Sequence, residues 1–271
     1  SDPAWDNHHA IFGGCGIKTN KYRYFDAQTQ GVDFEGMMAD LAQLPAQSFV
    51  LLHPCCHNPT GADLSKEQWQ QLIALIKEKQ LIPFLDMAYQ GFGQGLDEDA
   101  YAVRAMAQAG VLFLVANSFS KNFSYYSERC GGLSVVCKDQ AAAERVLGQL
   151  NAWVRKNYSN PPSHGGHAIA TVLNTPELYQ GWVDAVDAMR ARIHTMRPTV
   201  YDRLTELAPH YDASYMIKQQ GMFSYTGLSS EQILRLREEF GVYMLDSGRI
   251  SVPGLTTKNV EYYAKSLAAV V

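Results

Sequence analysis

SFVLLHPCCHNPTGADLSKEQWQQLIALIKEKQLIPFLD, residues 48 to 86, decides the fold. Its first apolar run, Ser48 to Pro54, is short and closed by proline, and it reads as a buried strand. CCHNPTGAD then reads as a loop, broken by Pro59 and Gly61. From Ser65 to Gln80 the apolar residues Trp69, Leu72, Ile73 and Ile76 recur at spacings of three and four, one face of a helix. Ser65 and Gln68 stand at capping-box spacing at its start. Leu81 to Asp86 is apolar again and ends on a carboxylate, so it reads as the next strand.

The alternation continues outward. AYQGFGQGL (88 to 96) is a loop, Asp97 to Gly110 a helix stopped by glycine, Val111 to Ala116 a third strand, and Gly131 to Cys137 a fourth. Strand and helix alternating at this spacing predict an α/β fold, with a mostly parallel sheet covered by helices on both faces. The second half differs. Helices dominate from Ala141 to about Leu207. One starts at Thr175-Pro176, with a capping residue and then proline at the first helical position. Trp182, Val186, Met189, Ile193 and Met196 share its apolar face, and Pro198 is expected to kink or end it. GMFSYTG, the helical SSEQILRLREEFG and GVYMLDSGRISVPG follow. The expected division is residues 1–165, a larger sheet-containing part, and residues 166–271, a helical connection with a small α+β domain.

The chain of 271 residues is 46% apolar, enough to bury a sizeable core. A net charge of −4 with scattered basic residues gives no footprint for nucleic acid and no basic membrane-surface helix. No apolar run approaches the ~18 residues of a membrane span. Five cysteines without a CxxC spacing argue against a disulfide framework and for a reducing, cytoplasmic setting. The opening residues SDPAWDNH resemble no signal peptide, lack methionine and sit in a pattern already under way, so the chain is expected to begin inside a longer protein.

A mostly parallel sheet places chemistry beyond the carboxyl ends of its strands, and three polar segments lie there: CCHNPTG, DMAYQGF and NSFSKNF. Asp86 ends an apolar strand, where an unpaired carboxylate is costly, so it is expected to pair with a cation or to cap a turn. Tyr89 brings a phenol three residues on. Lys121, among serines after the third strand, is a candidate Schiff-base nucleophile if it is partly desolvated near another cation such as Arg129. Arg129 and Ser118 suit phosphate oxygens. A lysine for a Schiff base, an aspartate for a pyridinium nitrogen and an arginine for a phosphate make up a pyridoxal 5′-phosphate site, and Asn58 supplies an amide suited to the ring oxygen.

HPCCHNPTGADLS, FLDMAYQGFG, NSFSKNFSYYSERCGGLS, VRKNYSNPPSHGG, GMFSYTGLS and LREEFGVYMLDSGRISVPG together resemble the class I aminotransferases. The likeness is to the aspartate/aromatic subgroup, nearest to the bacterial aromatic-amino-acid (tyrosine) enzymes, and covers essentially the whole chain. It implies the fold-type I pyridoxal-phosphate transferase architecture, with residues 1–165 as part of the large cofactor-binding domain. It also implies transamination of aromatic amino acids and aspartate with 2-oxoglutarate in a ping-pong cycle, by a homodimer acting on small amino and 2-oxo acids. By resemblance Lys121 holds the cofactor covalently and shuttles a proton, Asp86 keeps the pyridine nitrogen protonated, and Tyr89 and Asn58 bond the ring oxygen. Ser118 and Arg129 match phosphate ligands, and Trp5 matches an indole that stacks on the ring. Arg249 matches the grip on the substrate α-carboxylate. Arg155 matches an arginine that reaches into the partner subunit's site for a side-chain carboxylate, with Asn160 close to that position.

Family members carry a part before the segment resembling SDPAW, including a glycine-rich turn and a tyrosine for the phosphate; GFGQGL has the wrong spacing to replace it. Part of the phosphate grip is therefore expected to be missing from this chain. Other readings stand beside transamination: aspartate aminotransferase proper, a cofactor-binding piece without turnover, and decarboxylation or β-elimination on the same fold. A zinc site at His53, Cys55, Cys56 and His57, with His164 and His167, is not expected, because adjacent cysteines diverge and no second ligand pair completes a tetrahedron.

Overall fold

The structure is a computed structural model describing residues 1–271. Eight short strands form in chain order: β1 (Phe25–Asp26), β2 (Gly31–Val32), β3 (Phe49–Leu52), β4 (Ile82–Met87), β5 (Phe113–Ser118), β6 (Gly131–Val136), β7 (Phe223–Tyr225) and β8 (Arg249–Ser251). The helices are α1 (Asp6–Gly14), α2 (Phe34–Ala42), α3 (Lys66–Lys79), α4 (Tyr101–Gln108), α5 (Gln140–Asn157), α6 (His164–Asn174), α7 (Pro176–Leu207), α8 (Tyr215–Lys218), α9 (Ser230–Phe240) and α10 (Val260–Ala268). Two compact units interleave along the chain. Ala42–Pro54 and Ser65–Asp187 make a sheet unit; Ser1–Leu41, Cys55–Leu64 and Ala188–Val271 make a terminal unit.

The sheet unit is built on β3-β4-β5-β6. The first three strands are parallel and β6 returns antiparallel along β5. The βαβ unit read from residues 48 to 86 is present. The Ser65 side chain accepts the Gln68 amide while the Gln68 side chain reaches back to the Ser65 amide, satisfying two N–H groups that a helix start leaves orphaned. Trp69, Leu72, Ile73 and Ile76 are all buried, each contributing roughly 1.5–3 kcal/mol of apolar burial. Pro83, Leu85 and Met87 are the buried face of β4, which leaves Asp86 half-buried on the other. The segment from Asp97 starts as a tight turn at Glu98–Ala100 before α4, and Gly110 closes it in the left-handed region at φ 70°.

Helices flank the sheet as expected, and β6 is its least covered strand: Gly131 to Ser134 are exposed and α5, which contacts β6, has no buried residue. Leu133 on β6 and Leu147 and Trp153 on α5 are exposed.

The core of the terminal unit gathers Ile193, Met196, Val200 and Leu204 of α7 with Tyr215, Met216, Ile233, Leu236, Ala264 and Leu267. α7 does not end at Pro198 but runs on to Leu207. Proline inside a helix costs about 3 kcal/mol, and the buried side chains on both sides of Pro198 outweigh that. Arg197, also on α7, is buried and donates to the carbonyls of Met216, Gly221 and Phe223 and to Ser224 Oγ. One guanidinium thus ties α7 to α8 and β7. A second capping box, Ser229 with Gln232, starts α9, and Gly241 ends it at φ 62°. All five cysteines are free thiols. No helix is long and apolar enough to cross a membrane.

Candidate active site

In the sheet unit, β4 and β5 deliver four of the candidate residues. Their parallel register sets Asp86 opposite Ala116 and Met87 opposite Asn117, so the segments leaving both strands emerge side by side. His53, just beyond β3 and almost fully buried, brings Nε2 to 3.7 Å from Asp86 Oδ2. Tyr89 is buried in the turn that follows Asp86. Lys121 sits in a turn directly after β5, closed by the Phe119 amide on the Cys130 carbonyl and the Ser124 amide on the Lys121 carbonyl.

The Lys121 amine is half-buried, with Nζ 5.0 Å from the centre of the Tyr89 ring and 6.0 Å from that of Tyr126. Burial depresses its pKa from the ordinary 10.5; the Arg129 charge adds to the depression and the Asp86 carboxylate opposes it. The Asp86 and Arg129 charges therefore both act on the Lys121 amine. Ser118 Oγ accepts the Ser120 amide at 3.2 Å. Ser118 pairs with Gly131 in the sheet register, two residues from Arg129, whose Nη1 donates to the Tyr126 carbonyl at 2.6 Å. Arg129 is exposed and adopts the left-handed region at φ 54°.

Arg155 and Asn160 form a separate, exposed group at the end of α5. The Arg155 guanidinium donates to Ser159 Oγ, and Asn160 Nδ2 reaches the same oxygen at 3.5 Å.

In the terminal unit, the loop 55–64 is tightly made. Asp63 accepts the amides of Cys56 and His57, and Thr60 Oγ1 bonds His57 Nδ1. The Tyr24 ring stacks on His57 with centroids 4.0 Å apart, and its hydroxyl donates to the Ala62 carbonyl. Cys56 packs on Gly221, where a Cβ would stand 2.5 Å from the cysteine's own. These histidine and cysteine neighbours thus order the loop. It presents Asn58, whose Oδ1 accepts Arg249 Nη1 at 2.8 Å. The Arg249 guanidinium lies 4.4 Å over the Phe223 ring, two residues along β7 from Tyr225, its register partner. Arg249 borders an open recess of about 620 Å³ in the same unit, so a carboxylate has room to approach it. Trp5 precedes α1, 37% exposed, and meets His8 edge-on at 5.1 Å.

Sequence reasoning did not single out four neighbours of these groups: Tyr126 and Asn122 beside Lys121, Phe223 beneath Arg249, and the pairing of His53 with Asp86. His53 carried the one usable signal, a polar residue at the end of an apolar strand. A half-buried amine between two aromatic faces, with an anion and a cation at hand, suits a flat heteroaromatic aldehyde bearing an anionic group.

Residues 1–267 match the family described as aminotransferase class I and II. Tyrosine aminotransferase of Klebsiella pneumoniae is 58% identical over 271 residues, the whole of this chain and 68% of the relative. Aspartate aminotransferase of Pseudomonas aeruginosa is 47% identical over the same length, again 68% of that protein. Among solved structures, the aromatic-amino-acid aminotransferase of Burkholderia pseudomallei covalently bound to pyridoxal phosphate superimposes with a TM-score of 0.98 at 48% identity, covering 99% of this chain and 67% of that one. The chain thus spans about two thirds of the length of these relatives.

Proposed function

Because the chain belongs to the class I and II aminotransferases, we propose that it binds pyridoxal 5′-phosphate and transfers amino groups from aromatic amino acids, and from aspartate, to 2-oxoglutarate. The observation that carries this is the Lys121 amine, half-buried beside Tyr89 within the fields of Asp86 and Arg129. When bound, the cofactor supplies an electrophilic aldehyde on an electron-withdrawing ring. Lys121 Nζ is the covalent anchor and afterwards the base that moves a proton at the substrate Cα. A depressed pKa leaves more of this amine neutral near pH 7 than an ordinary lysine would have.

In this reading the Asp86 carboxylate would accept a hydrogen bond from the ring nitrogen and favour its protonated form. Tyr89 and Asn58 would bond the ring oxygen, Ser118 and Arg129 would hold the phosphate, and Trp5 would stack on the ring. Arg249 clamps the substrate α-carboxylate with the planar fork of its guanidinium. Phe223 and Asn58 hold that fork in place. Arg155, with Asn160 beside it, takes a side-chain carboxylate in the site of a second subunit, so the working form is a homodimer. The cell compartment in this reading is the cytoplasm. The proposed division into a cofactor-binding part, residues 1–165, and a connection with a smaller domain, 166–271, does not follow the two compact units, which interleave along the chain; what supports it is the unbroken run of helices α5 to α7 after the alternating strands.

The identity margin of 58% against 47% favours an aromatic over an aspartate enzyme. Single-turnover assays test the proposal. With cofactor loaded and no 2-oxo acid present, tyrosine should release one equivalent of its 2-oxo acid per site, and 2-oxoglutarate should then restore the starting spectrum. Cofactor retained without any oxo-acid release would leave this chain a binding piece and sink the assignment of turnover to it.

A further inference from the structure

Lys121 and Tyr89 belong to separate loops, and something must hold those loops at a fixed spacing. The structure shows what does. Asn122, next to Lys121, is 5% exposed, and its Nδ2 donates to the carbonyl of Gln90, next to Tyr89, at 3.3 Å. Its own carbonyl accepts Nε1 of Trp182 on α7 at 2.8 Å. The Trp182 ring stacks on Phe123 with centroids 4.8 Å apart and planes at 22°. One turn further along the same helix, Val186 packs against the Tyr89 loop at Gly91, where a Cβ would meet Val186 Cγ1 at 2.6 Å. The loop is itself stiffened from the far side, because the buried Asp99 carboxylate accepts the amides of Gly91, Gly93 and Gln94. One helix face thus grips both loops, and one amide joins them directly.

We infer that Asn122, anchored by Trp182, is a positioning residue that fixes the Lys121 amine over the Tyr89 ring. The role rests on the proposed assignment of Lys121 as the cofactor lysine, but the geometry it controls exists before any cofactor binds. Without the Asn122 amide the Lys121 turn is free to move away from the Gln90 carbonyl. The amine then spends more time in water, and its protonation reverts toward that of an ordinary lysine.

The test uses Asn122→Ala and the milder Trp182→Phe, which keeps a ring to stack on Phe123 but loses the indole N–H. Acetylation of Lys121 in the full chain without cofactor, quantified by peptide mapping across pH, reads the amine's protonation midpoint. Both variants should move that midpoint upward, by about half a pH unit. Both should also slow formation of the visible lysine–cofactor band by about fivefold, the effect of one lost neutral hydrogen bond. A purely structural role would lower Tm and leave the midpoint at its wild-type value in Trp182→Phe; that result overturns the inference. Failure of the cofactor assignment would look different, with the acetylation midpoint shifting in both variants while no lysine–cofactor band forms in any form of the protein.

Discussion

Lys121 Nζ lies 5.0 Å from the centre of the Tyr89 ring, and the two residues leave the ends of neighbouring parallel strands. The pairing brings an amine into partial burial, and the resulting depression of its pKa has a stability consequence with a definite sign. Between the lowered folded-state value and the ordinary 10.5, the unfolded chain binds the additional proton. Stability therefore rises with pH across that window on account of this group. Lys121→Met should accordingly be more stable than the wild type at pH 7, and its advantage should fade as the pH approaches 10.5. Urea unfolding of both proteins at a series of pH values measures the difference; an advantage that grew with pH would contradict it.

Arg249 donates to Asn58 and rests on Phe223, so its fork is already oriented before substrate arrives. Arg249→Leu should raise KM for tyrosine and aspartate alike by roughly 10- to 100-fold, the range of a lost charge-assisted hydrogen bond. Arg249→Lys should recover only part of this, because an ammonium lacks the planar fork. Steady-state kinetics on the two substrates decide it, and an unchanged KM in Arg249→Leu would remove Arg249 from the substrate site.

Arg155 is exposed, bonded to Ser159, and proposed to serve a second subunit's substrate. Arg155→Leu should lower kcat/KM for aspartate and glutamate by about tenfold or more while leaving tyrosine within about twofold. A uniform loss over all substrates would point to a folding or dimer defect instead.

Gly61 holds the Asn58 loop at φ +69°, and a Cβ there would lie 2.5 Å from the Phe223 carbonyl oxygen. Gly61→Ala should therefore cost more than about 1 kcal/mol, since both the backbone angle and the space are wrong for a side chain. A drop of at least about 2 °C in Tm is expected. The variant should also weaken substrate binding at Arg249, because the same carbonyl belongs to the residue beneath that guanidinium. An unperturbed melting curve would mean the loop can move off β7 freely.

Local patterns carried much of the fold. The capping box at Ser65 and the buried stripe from Trp69 to Ile76 could be read directly, because both depend only on residues within one helix. The strand ends carrying Asp86 and Lys121 were legible for the same reason: an apolar run that stops at a polar residue marks its own boundary. Pro198 was expected to kink or end its helix, and it does not end it, because local propensity says nothing of the buried side chains that hold α7 together around it. The interleaving of the two units rests on contacts distant in sequence, such as the Gln220 amide on the Gly61 carbonyl, which no periodicity encodes. The same holds at the candidate site, where Phe223 under Arg249 and Asn122 against Gln90 arise from how loops meet.

Borohydride reduction of the protein loaded with pyridoxal phosphate, followed by peptide mapping, tests the central claim most directly. The expected result is a single phosphopyridoxyl group on Lys121, absent from Lys121→Ala. A tag spread over exposed lysines, or one that persists unchanged in Lys121→Ala, would contradict the account.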